Sequence, residues 1–130
     1  MLKTTPILNS AMIEVLARVG HGQVIVVSDA GLPRPAEVPV IDLAVVPGLP
    51  GFVPVVRAIL AATALESYVA TVESHQSEPF IQLEPDLQSL RPEHISHAEF
   101  KQRLPTAAVI IRTGECTPFV NIALVAGVVF

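Results

Sequence analysis

Cysteine is nearly absent from this chain of 130 residues, tryptophan is absent altogether, and tyrosine occurs once. The lone cysteine, Cys116, cannot close an intramolecular disulfide, so nothing in the sequence calls for an oxidising compartment. Charge is also sparse. Eight Lys plus Arg stand against twelve Asp plus Glu, for a formal charge of -4. A polyanion partner needs a basic face to replace released counterions, so nucleic acid is not expected as a ligand. Long unbroken apolar runs are missing too. A membrane-spanning helix needs about 20 apolar residues in succession, whereas Arg57 breaks the run at 53–65 and Asn121 breaks the run at 119–130. Glu14 and Arg18 interrupt the segment that a signal peptide would keep apolar. The expectation is a cytoplasmic protein with no membrane partner.

What the chain does have is a surplus of apolar residues, 51% of the total, with a mean hydropathy of +0.57. A small protein has much surface for its volume and ordinarily needs more polar cover than this. The surplus implies burial between copies of the chain. Length and the lack of any break in composition imply a single domain spanning residues 1–130.

Asn9 or Ser10 can cap a helix through Met12, Ile13, Leu16 and Val19, with Gly20 as its stop. Residues 23–28 read as a strand apolar on both faces, hence central and covered by helices. A proline-rich loop leads to a second strand at 41–46, helical spacing runs from Phe52 to about Glu66, and 68–72 is a third strand. Residues 73–95 carry few signals beyond a short helix at 85–90. Ser96 and Glu99 form a capping box for a helix reaching about Arg103. Residues 107–112 and 121–130 are both β-forming, and the turn through Gly114 and Pro118 would let them pair as neighbours. The expected fold class is α/β, a three-layer α/β/α arrangement with a mixed β-sheet.

Two polar islands interrupt the apolar segments. One is Gly20-His21-Gly22 with Ser28-Asp29-Ala30-Gly31-Leu32-Pro33; the other runs from Arg112 through Thr113-Gly114-Glu115-Cys116-Thr117-Pro118-Phe119-Val120 to Asn121. His21 follows a helix C-terminus, where the dipole favours an imidazolium and flanking glycines admit a ligand. It reads either as a proton donor or as an ordinary loop histidine. Asp29 ends a buried strand, where open α/β sheets place their ligands; otherwise it caps the following turn. Asp42 poses the same question with weaker context and is given to structure. His97 opens a helix, whose positive end favours the neutral imidazole, and Lys101 lies four residues on along the same face. A decorated surface helix start is the competing reading. Phe119 and Asn121 would share one side of an incipient strand, one to stack on a ligand and one to bind hydroxyls. Cys116 reads as a small filler, and His94 with His97 make a poor case for a metal.

Taken in order, these motifs resemble the ribose pyranase and fucose mutarotase family. The likeness rests on Leu8-Asn9-Ser10, Arg18-Val19-Gly20-His21-Gly22, Val27-Ser28-Asp29-Ala30-Gly31-Leu32-Pro33, Ile41-Asp42-Leu43-Ala44, the segment 97–102, and Ile111-Arg112-Thr113-Gly114-Glu115-Cys116-Thr117-Pro118 followed by Asn121. It spans nearly the whole chain and is weakest between Glu73 and His94. The resemblance implies that His21 is the proton donor. It implies that Asp29, His97 and the segment Phe119-Val120-Asn121 bind the sugar; Lys101, sharing the helix face of His97, is expected as a further contact from its spacing alone. It also implies rings of five copies, often stacked as decamers, in which segment 119–121 enters the pocket of a neighbouring copy and His21 and Asp29 share a cleft between copies. The implied reaction interconverts pyranose and furanose forms of an aldopentose, most simply D-ribose, by acid/base ring opening and reclosure with no cofactor and no metal. A fucose-type exchange of α and β anomers, or a non-catalytic sugar-binding oligomer, is the alternative. Two positions depart from the family pattern: Phe119 stands where a tyrosine is usual, and Gln23 where an aspartate is usual.

Overall fold

The computed structural model describes residues 1–130. Helices α1 (Ser10–Arg18), α2 (Phe52–Ala62), α3 (Glu78–Leu87) and α4 (His97–Arg103) alternate irregularly with strands β1 (Val24–Ser28), β2 (Val40–Asp42), β3 (Leu65–Thr71), β4 (Arg91–Ile95), β5 (Val109–Arg112) and β6 (Ile122–Ala126). The strands form one sheet in the order β2-β5-β1-β6-β3-β4. β6 runs antiparallel to both of its neighbours, β1 and β3, while the pairs β1 with β5, β2 with β5 and β3 with β4 are parallel. All strands but β6 therefore point the same way.

Alternation along the strands sends side chains to two cores. Ile25, Val27, Val109, Ile111, Ile122 and Leu124 meet Met12 of α1, Phe52, Val56 and Ile59 of α2, and Phe80 and Leu83 of α3. Val26, Val69, Ile110 and Ala123 face the other way, onto Phe100 of α4 and Leu104. The period-two side-chain pattern of a strand thus builds the expected three-layer α/β/α mixed sheet. No helix is long and apolar enough to cross a membrane.

Several elements differ from what the sequence implies. β5 and β6 are not neighbours, because β1 lies between them and pairs with both. Apolar on both faces, β1 is stabilised most at the centre of the sheet, and that preference overrides the local turn at 113–118. Residues 91–95 form an edge strand and 78–87 a helix, where only a short helix at 85–90 was signalled. β2 ends at Asp42, and β3 begins at Leu65, just beyond the end of α2 at Ala62.

Candidate active site

The parallel strands deliver their C-terminal ends to one edge of the sheet, the edge at which open α/β sheets bind ligands. Asp29 leaves β1 there, His97 follows β4, the 113–118 loop leaves β5, and Asn121 leads into β6. An open pocket of about 450 Å³ at this edge is lined by Asp29, Gly31, His97, Glu115, Cys116 and Phe119, among others.

Asp29 is held on three sides. Its backbone N–H donates to Asn121 Oδ1 at 2.9 Å, the Asn121 amide donates back to Asp29 Oδ2 at 3.2 Å, and the Gly31 N–H donates to Asp29 Oδ1 at 3.0 Å. Asn121 is fully buried while Asp29 keeps 9% of its surface exposed. The carboxylate is thus fixed by its own chain, with lone pairs remaining to accept from a ligand. The role the sequence suggests for the Asn121 side chain, binding hydroxyls, is taken up instead by orienting Asp29. Val120 is a core side chain, which leaves only its backbone for any ligand contact.

Phe119 is the one residue other than glycine with positive φ, at 66°. That conformation costs an L-residue roughly 1–2 kcal/mol. Buried Val120 and Asn121 on one side offset the strain, as does the Thr71 hydroxyl, which donates to the Phe119 carbonyl at 3.0 Å. The result is a ring left 41% exposed over the pocket, meeting the His97 imidazole edge to face at a centroid distance of 4.9 Å. Residues held in sparsely populated backbone regions cluster at ligand sites.

His97 is placed by two caps on α4. Ser96 Oγ accepts from the Glu99 N–H at 3.1 Å, as the capping box requires. The reciprocal bond from Glu99 is not made, because Glu99 pairs with Arg103 at 2.8 Å. Glu73 instead accepts the His97 N–H at 3.0 Å, and that backbone hydrogen bond holds the Glu73 carboxyl below its usual value. The His97 ring is half-buried beside the pocket, and its Nδ1 is buried without a hydrogen-bond partner in the chain. Lys101 is exposed and is not part of the pocket lining.

The loop walls are clamped to one another. Arg112 Nε donates to the Ala30 carbonyl at 2.9 Å, Ala30 N–H donates to the Glu115 carbonyl at 2.8 Å, and the Thr113 hydroxyl donates to the Ser28 carbonyl at 2.8 Å. Gly114 packs so closely on the turn at 46–50 that a Cβ would lie 2.6 Å from the Leu49 nitrogen. Asp42 accepts from Arg112 on both oxygens, at 3.1 and 3.0 Å, and from Arg34 at 3.2 Å, bearing out its structural assignment. Glu115 was legible only as a neighbour of Cys116; folding turns it into a second carboxylate of the pocket.

His21 lies elsewhere. It precedes β1, at the opposite edge of the sheet, and lines a separate depression with residues of the C-terminal segment 126–130. The five residues of β1, about 15 Å of extended chain, lie between it and Asp29 within one chain. Its Nε2 lies 3.0 Å from Glu66 Oε2, so Glu66, not Asp29, holds the imidazole. Phe119, by contrast, lines the pocket of its own chain's Asp29 and His97, with Asn121 buried behind it against Asp29. No local signal marked Glu66, since helical spacing ran up to it and only the register of β3 brings it to His21.

Carboxylates and an imidazole around a half-exposed aromatic ring, at the C-terminal edge of a mostly parallel sheet, define an α/β protein built to hold a small polyhydroxylated ligand. The chain belongs to the RbsD / FucU transport protein family, whose profile matches residues 2–129. The D-ribose pyranase of Pseudomonas putida strain GB-1 is 44% identical over 132 residues, covering 99% of this chain and all of that one. The D-ribose pyranase of Symbiobacterium thermophilum is 43% identical over 131 residues, with the same coverage. Among solved structures, Bacillus subtilis RbsD complexed with D-ribose superposes with a TM-score of 0.91 at 41% identity, over the full length of both chains. The fucose mutarotase of Streptococcus pneumoniae, solved with L-fucose, shares the fold, with a TM-score of 0.79 at 24% identity over 99% of this chain and all of that one.

Proposed function

We infer that this protein interconverts the pyranose and furanose forms of D-ribose. Full-length similarity to ribose-bound RbsD, together with the Asp29, His97 and Phe119 pocket, carries the reading. The chemistry moves only protons on an unmodified sugar. An acid protonates the ring oxygen while a base takes the proton of the anomeric hydroxyl; the bond from the anomeric carbon to the ring oxygen breaks and a carbonyl forms. A different hydroxyl then adds to that carbonyl, giving up its proton to the base while the carbonyl oxygen takes one from the acid and becomes the anomeric hydroxyl of the other ring. A positioned acid and base each contribute about 10² to 10⁴ in rate.

His21 is the donor to the ring oxygen. Asp29 and Glu115 are the carboxylates able to receive the anomeric proton, the His97 imidazole binds a hydroxyl, and the Phe119 ring covers an apolar sugar face. The two sheet edges that carry these groups meet between copies. A head-to-tail contact of one edge on the other joins His21 of one copy to Asp29 of the next, and such contacts close into rings. Exposed Val45, Val46, Leu49 and the tail Val128, Val129 and Phe130 supply apolar surface for that contact. A ring of five, or two stacked rings, fits the family pattern. The reaction belongs in the cytoplasm, ahead of a kinase that accepts one ring form.

Saturation-transfer NMR on the anomeric signals of ribose tests the reading. The protein is expected to accelerate exchange between pyranose and furanose signals, and His21→Ala to abolish that acceleration while native mass is unchanged. Exchange at the wild-type rate in His21→Ala would remove His21 from the mechanism.

A further inference from the structure

The imidazole of His21 has a dedicated partner that the pocket chemistry does not explain. Glu66 stands at the start of β3, and the register of β3 against β6 shifts between Leu65 and Ser67, so Glu66 is the extra residue of a β-bulge. Bulges re-aim a side chain, and they are frequent beside active sites. Here the bulge aims a carboxylate at a histidine 45 positions away in sequence, with Oε2 3.0 Å from Nε2.

Both partners are tied to the same strand end. Gly22 N–H donates to the Ala126 carbonyl, Ala126 N–H donates to the Gln23 carbonyl, and Gly127 N–H donates to the Ala64 carbonyl, all at 2.8 or 2.9 Å. The end of β6 is therefore a common anchor that sets the spacing of His21 and Glu66. The Gln23 side chain is occupied elsewhere, accepting from the Gly20 N–H at 2.8 Å, so the only carboxylate bonded to the imidazole is that of Glu66. Its second oxygen, Oε1, lies 3.8 Å from the Arg91 guanidinium, which restrains rotation of the carboxylate.

We propose that Glu66 is the positioning residue of His21, fixing the ring so that Nδ1 is the nitrogen that exchanges a proton with the sugar. A carboxylate at Nε2 retains the proton there in both charge states, so the imidazolium gives up its Nδ1 proton and the neutral ring takes one back at the same atom. A carboxylate that holds an imidazole in one tautomer and orientation raises the rate without touching substrate. The inference rests on His21 being the donor.

Glu66→Gln, Glu66→Asp and His21→Ala are compared by ribose exchange at several sugar concentrations, with native mass as a check on assembly. Glu66→Gln keeps the size of the side chain but loses the charge that selects the tautomer; it should lower maximal exchange roughly ten-fold or more, with half-saturating ribose unchanged. Glu66→Asp should recover part of that loss. Full activity in Glu66→Gln alongside an inactive His21→Ala would overturn the role of Glu66 alone. Full activity in both would overturn the donor assignment beneath it. A Glu66→Gln variant whose half-saturating ribose rises while maximal exchange holds would also refute the proposal, since positioning of a proton donor acts on turnover.

Discussion

At the scale of single residues, Asn121 and Asp29 form the most constrained pair of the site. Asn121 is completely buried and spends both ends of its amide on Asp29, accepting from the backbone N–H and donating to the carboxylate. Asn121→Leu keeps the volume but leaves the buried Asp29 N–H unpaired, which costs about 1–3 kcal/mol. Ribose exchange should fall with it, roughly ten-fold or more, because Asp29 loses its fixed orientation. Chemical denaturation and NMR exchange read the two effects, and full exchange with lowered stability would show that Asp29 needs no such support. The polar islands around Asp29 and Asn121 were legible because polar groups bordering apolar strands need partners or ligands. Which of the two faces the ligand and which serves the other was not legible, since that depends on residues 92 positions apart meeting across a sheet. Glu66 was invisible for the same reason.

At the scale of elements, the β2 and β5 ends are locked by an ion pair outside the pocket. Partial burial opposes ionisation of Asp42, but the Ala44 N–H and the Arg112 and Arg34 guanidiniums outweigh it and hold the carboxyl below its ordinary value of 3.8. A carboxyl lowered by folding contributes fully above its unfolded value, and the contribution disappears as pH falls through the folded one. Thermal unfolding of wild type and Asp42→Asn should therefore differ at neutral pH and converge on acidification below about pH 4. A gap that stays constant with pH would show that the Arg112 contacts do not carry the effect. Elements with strong local signals, such as β1 and the Ser96-capped α4, were legible in the sequence. β4 was not, because Arg91, Pro92, Glu93 and His94 are exposed on an edge and show no apolar alternation. α3 was obscured by Pro79 in its first turn and Pro85 inside it. Proline is tolerated at a helix start, and Pro85 lies on the exposed face, where a lost hydrogen bond is taken up by water.

At the scale of the whole molecule, one sheet carries a group of polar side chains at each end of its strands. Asp29, His97 and Phe119 occupy one edge, His21 and Glu66 the other, and the apolar surplus of the sequence is left exposed on the turn at 45–49 and the C-terminal tail. In the proposed assembly, packing copies head to tail would join the two groups into one site and cover that surface in one step, which would link the composition of the chain to its chemistry. Complementation tests this directly. His21→Ala and Asp29→Asn, each inactive alone, are co-expressed so that mixed assemblies form. If each site takes His21 from one copy and Asp29 from the next, about a quarter of the contacts in a random mixture are intact, and ribose exchange returns to about that fraction of wild type. Mixed assemblies of native mass that remain as inactive as the two parents would contradict a site shared between copies.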